Sequence, residues 1–121
     1  MNEETPAEIR VEVPPEFGEV YSTDGERQWV ERRHRISVRI LQGCEGKLFE
    51  VLEDEKAFQK LCENMGQVFT DWTIEGDGGP LPKPWQNPKA FVSLADSDYE
   101  LLMWVWNLTF MSVAELLDQK N

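Results

Sequence analysis

The chain has 121 residues and a mass of 14.1 kDa, enough for one domain whose core needs neither metal nor disulfide. Apolar residues make up 40% and charged residues 29%, a globular balance that excludes wholesale disorder. The net charge of −11 argues against any intrinsic attraction to nucleic-acid phosphates or anionic lipid.

That charge is unevenly laid out. Residues 1–26 hold eight acids against Arg10 alone, and residues 27–39 reverse sign with Arg27, Arg32, Arg33, Arg35 and Arg39 against Glu31. The arginine strip reads as neutralising the acidic leader. Its alternative is a basic contact face formed by Arg32, Arg33, Arg35 and Arg39. Residues 1–18 form an acidic, proline-containing arm in which Ile9, Val11 and Val13 alternate with polar neighbours. Such an arm is either a short edge strand or a mobile segment ordered by a partner. Residues 19–121 form the single α+β domain.

Within that domain, Val20-Tyr21 leads through Thr23-Asp24-Gly25 into Gln28-Trp29-Val30, the pattern of a hairpin with an Asp-Gly turn. Ile36, Val38 and Ile40 alternate with Ser37 and Arg39, which predicts a half-buried strand and a small antiparallel sheet with arginines outside. Leu48, Phe49, Val51 and Leu52 suggest a helical turn. Phe58, Leu61, Cys62 and Met65 then predict an amphipathic helix capped by Asp54 and stopped by Gly66.

Val68 to Ile74 reads as a short aromatic strand with Trp72 and Ile74 on one side, ended by Gly76-Asp77-Gly78-Gly79. Pro80, Pro82, Pro84 and Pro88 predict an extended, semi-rigid arm that Trp72 and Trp85 lock onto the domain. The last helix is expected from Asp96, as cap, to about Leu117. Between Leu101 and Met111 only Asn107 and Thr109 are polar, so this helix is central in its own core or shared with another chain. Trp104 and Trp106 lie roughly 200° apart on it, so one ring can face the core while the other faces elsewhere. The predicted fold is therefore α+β: a small N-terminal antiparallel sheet or hairpin, then two or three helices, the last strongly apolar.

The residues that carry chemistry are sparse. His34 sits among Arg32, Arg33 and Arg35 with no carboxylate to orient it. Cys44 and Cys62 with one histidine cannot form a structural zinc site, and Asp71, Glu75 and Asp77 lack the spacing of a calcium loop. No phosphate-binding glycine loop or nucleophile elbow is present. Acid groups such as Asp96 with Asp98 read as helix caps rather than a glycosidase pair. A non-enzymatic protein without cofactor is expected. Met1 is followed by acids, so no signal peptide is expected and reduced thiols in a cytoplasm are the default. The apolar run is about half of the roughly 20 residues that a membrane span needs.

The order of these features resembles the small tail-module proteins of long-tailed bacteriophages, above all those read as tail assembly chaperones. The likeness runs over residues 35–115. It is carried by Arg35-Ile36-Ser37-Val38-Arg39-Ile40-Leu41, the acidic helix ending at Val68-Phe69-Thr70-Asp71-Trp72, Gly76-Asp77-Gly78-Gly79-Pro80-Leu81-Pro82, and the helix after Phe91-Val92-Ser93-Leu94. Tryptophan and methionine stand in the last helix where that pattern has leucine and alanine, and the N-terminal hairpin and leader are outside it. The resemblance implies a host-cytoplasmic protein that binds a helical tape-measure or other tail protein during morphogenesis and keeps it from aggregating. Trp104, Val105, Leu108 and Met111 would make the contact, with Trp106 and Phe110 on another face. Alternatives are a permanent virion subunit that oligomerises through the same helix, and an acidic inhibitor that mimics nucleic acid. Such chaperones are often extended by ribosomal slippage, and Gln119-Lys120-Asn121 can be encoded with a slippery adenine run.

Overall fold

The computed structural model describes residues 8–18, 20–45, 50, 53–76, 79–87 and 89–119. A three-stranded antiparallel sheet of order β1-β2-β3 is built from β1 (Glu8–Glu12), β2 (Trp29–Arg33) and β3 (Phe69–Trp72). Against it pack the helices α1 (Val38–Cys44), α2 (Glu55–Val68), α3 (Lys89–Ser97), α4 (Tyr99–Phe110) and α5 (Val113–Gln119). The α+β expectation holds.

Period-2 alternation sorts β1 cleanly. Ile9 and Val11 point into the core at 3% and 1% exposure, while Glu8, Arg10 and Glu12 face out. Of the two readings of the leader, the edge strand is therefore what forms at Glu8–Glu12; residues 1–7 lie outside the described residues. A short 3-10 turn at Pro15–Phe17 and the turn at Ser22–Glu26 return the chain to β2. In that second turn Gly25 takes φ +88, and Tyr21 bridges Arg27. The Ser22 hydroxyl and the Glu26 N–H hold the Asp24 carboxyl below its ordinary value. On the outer side of the sheet Arg10 lies across from Glu31 and 3.7 Å from the Trp29 ring centroid.

The strand expected at Ile36–Ile40 is a helix instead. Ser37 accepts the Ile40 N–H at 3.2 Å and starts α1, so its hydroxyl decides a segment whose five-residue alternation fits either period. Asp54 caps α2 as expected, accepting from Lys56 and Ala57 N–H. Gly66 does not end that helix, which continues to Val68. A Cβ there would lie 3.1 Å from the Pro84 carbonyl oxygen, so glycine serves close approach of the proline arm. The Leu48–Leu52 expectation falls on side chains outside the described residues.

After β3, the strands β4 (Glu75–Gly76) and β5 (Gly79–Pro80) pair as a two-stranded antiparallel sheet; residues 77 and 78 lie outside the described residues. The proline arm stays extended only to Pro82. It then turns, with Gln86 and Asn87 N–H donating to the Lys83 carbonyl. Asp96 is not a cap but lies inside α3. Asp98 caps α4, accepting from Leu101 N–H at 3.1 Å. The expected single helix to Leu117 is broken at Met111–Ser112, where Ser112 and Glu115 exchange N–H donors in a reciprocal cap.

Candidate functional site

The apolar α4 is the element that positions the site, and its two sides differ. Leu101, Leu102, Val105, Leu108 and Thr109 follow the i, i+1, i+4, i+7, i+8 pattern of one helical stripe and are buried in the core. Val105 and Leu108 are fully enclosed at 0% exposure, so neither can serve as the partner contact expected of them. Tight spacing on the inner stripe commits them to the home core.

The other side carries Tyr99, Met103, Trp106 and Phe110. Tyr99 is 50% and Phe110 40% exposed, and Met103 and Trp106 are half-buried. Their spacing of four, three and four residues places them in one line along the helix, the seam by which one helix meets another. Neither Trp104 nor Trp106 is sealed. Trp106 donates its indole N–H to the Cys44 carbonyl at 2.9 Å and meets Phe110 edge-on with centroids 5.0 Å apart. Trp104, on the flank, leans on Phe17 at 6.2 Å. Each ring is thus fixed by one edge and open at another.

Trp104 is shared by two shallow depressions. One is lined by Tyr99, Glu100, Met103, Trp104 and Asn107, the other by Pro14, Pro15, Glu16, Phe17 and Trp104. Tyr99, Met103, Phe17, Glu16 and Glu100 were not among the expected contact residues. The 4-3-4 spacing that marks Tyr99 and Met103 is present in the sequence but masked by an apolar run in which nearly every position is hydrophobic.

The expected basic face is dispersed. Arg32 is 4% exposed, and its Nη1 donates to the carbonyls of Leu108 at 2.8 Å, Thr109 at 3.2 Å and Met111 at 3.0 Å. These are the orphan carbonyls at the C-terminus of α4, where the helix dipole favours a cation. Burial pulls the Arg32 guanidinium down from its ordinary value. Neighbouring residues of a strand point to opposite sides, so Arg33 reaches instead to the Gln67 carbonyl at 2.7 Å, near the C-terminus of α2. Arg35 and Arg39 are exposed. A half-buried Met111 remains at the end of α4, its carbonyl engaged by Arg32.

The two expected arm anchors part company. Trp72 is buried, donates its indole N–H to the Pro82 carbonyl at 3.1 Å and meets Phe91 edge-on at 5.4 Å. Lys83 Nζ reaches back to the Trp72 carbonyl and to Asp71 at 3.0 Å. Trp85, on the turn after Lys83, is 45% exposed, and among the described residues no hydrogen bond or ring contact ties it to the domain.

Burial raises both thiols, Cys44 to about 11 and Cys62 to about 12, the latter also by the Glu63 charge, so neither is a thiolate at neutral pH. Among the described residues no group of three or more His, Cys, Asp or Glu is arranged to hold a metal, and no helix is long and apolar enough to cross a membrane. A further depression between α2 and α3 is lined by Phe58, Cys62, Val92 and polar neighbours. Comparison of the chain with protein-family models, with curated proteins and with solved structures finds no match in any of the three.

Proposed function

We propose that this chain is a non-enzymatic protein-binding module that handles a helical partner, in the manner of the phage tail assembly chaperones its sequence resembles. The observation that supports this reading is the outer line of α4. The inner stripe already fills the core, yet Tyr99 and Phe110 stay exposed, and Met103 and Trp106, packed partly against the core, stay partly accessible in the same helix-pairing register. Aromatic and methionine side chains dominate the energetics of such contacts, and methionine adapts to irregular partners. A surplus of carboxylates would keep the complex soluble while an aggregation-prone helix is covered.

The test is co-expression with a long helical tape-measure frame found beside the gene, followed by sizing of the complex by light scattering. A soluble complex that dissolves on tail completion supports the chaperone role. Stoichiometric retention in the finished particle makes the chain a virion subunit instead. Within such a complex, Trp106→Ala should weaken binding by about 2 kcal/mol or more, as expected for an anchoring ring. Unchanged affinity with an intact fold would remove the outer line of α4 from the contact.

A further inference from the structure

Two depressions share the Trp104 ring where the 3-10 turn meets α4. Glu16 lines one and Glu100 the other, the Phe17 ring centroid lies 6.2 Å from that of Trp104, and Glu100 Oε1 accepts from the Tyr99 hydroxyl at 3.5 Å. Both carboxylates are exposed, and among the described residues neither makes an ion pair. Among the described residues no lysine or arginine lines either depression. Elsewhere the same protein shows what such a ring takes: Trp29 holds the Arg10 guanidinium 3.7 Å from its centroid, with Glu31 beside it. Trp104 has the aromatic surface and the carboxylates of that arrangement but, among the described residues, no cation.

We propose that the outer line of α4 receives a cationic amphipathic helix of a partner protein, with a lysine or arginine of that helix seated over Trp104 between Glu16 and Glu100. This inference rests on the docking reading above and narrows it to a basic partner. The helical form of the occupant follows from the 4-3-4 line of Tyr99, Met103, Trp106 and Phe110, which matches a facing helix turn by turn. Its charge follows from complementarity, because Glu16 and Glu100 beside the line are acidic and among the described residues pair with no cation. A second copy of the chain is the poorer occupant. A two-fold contact sets the same patch against itself, so carboxylates would meet carboxylates on chains that each carry −11.

The test titrates the full chain calorimetrically with three synthetic helical peptides of equal length. All share apolar residues at three-four spacing and differ only in lysine, glutamine or glutamate at the flanking positions. The lysine peptide should bind about tenfold or more tighter than the glutamine peptide at low salt, and the gap should shrink as salt is added. In the Glu16→Gln/Glu100→Gln variant the lysine preference should fall to about twofold, with the thermal midpoint and the glutamine-peptide affinity unchanged. Trp104→Leu, which keeps apolar area but removes the ring, should lower the same preference.

Equal affinity for all three peptides overturns the charge inference while leaving the docking reading standing. A lysine preference that survives loss of both carboxylates overturns the placement at Trp104. If no peptide binds and light scattering finds a dimer, the patch is an interface between copies and the inference fails. If no peptide binds and the chain stays monomeric, both the inference and the docking reading fall.

Discussion

The two sides of α4 are both apolar yet differ in burial. Leu101, Leu102, Val105 and Leu108 on the inner side are enclosed, branched and packed into the sheet and helices. Tyr99, Met103, Trp106 and Phe110 on the outer side are longer or flatter, the first and last exposed and the middle two partly buried. Hydrophobicity alone does not separate these roles. Shape does: compact side chains fill a dense interior, whereas rings and thioethers present area to something outside.

Mutations can break this contrast, beginning with the inner side. Leu102→Ala should cost about 3 kcal/mol of stability, through lost burial and the cavity left behind, read as a lower urea midpoint. Equal stability would mean that the inner side is not the core. Arg32→Leu should cost about 2–3 kcal/mol, since three carbonyls at the end of α4 lose their donor in a buried site. A variant as stable as the parent would show that the buried charge merely fills space.

The outer side should behave in the opposite way. Phe110→Ser should change stability, read from the urea midpoint, by less than about 1 kcal/mol, because the ring is 40% exposed. The same substitution should measurably weaken partner binding. A large stability loss with unchanged binding would invert the assignment of the two sides.

The smallest effect concerns pH. Cys44 and Cys62 ionise near their ordinary 9.0 when unfolded but only near 11 and 12 when folded. Below the unfolded value both states keep the proton and the thiols leave stability unchanged. As pH rises from 9.0 through the folded values, the unfolded chain sheds protons first and stability declines. Substituting both cysteines by alanine should flatten that alkaline decline, and neither thiol should react with a disulfide reagent at neutral pH until the chain unfolds.

Local signals were legible where one residue governs one element. Asp54 before an i, i+3, i+4, i+7 stripe announces α2, and the alternation at Ile9 and Val11 announces β1. Ile36 to Ile40 alternates over too few residues to fix a period, and only the Ser37 cap decides for helix. Asp96 and Asp98 are equally good caps in sequence, and tertiary packing of Phe91 and Leu94 chooses the second. Arg32 was opaque for a deeper reason: its partners are carbonyls more than seventy residues away, and composition places arginine outside. In the candidate site, the tryptophans drew attention while the spacing of Tyr99 and Met103 was hidden inside a run without polar punctuation.

Arg32 and Arg33 each reach the trailing end of a different helix from one strand. Two adjacent residues on β2 thereby act as a rivet through the sheet, setting the bearing of α4 relative to α2. Removing either arginine would therefore release the end of one helix from the strand while the other stayed tied.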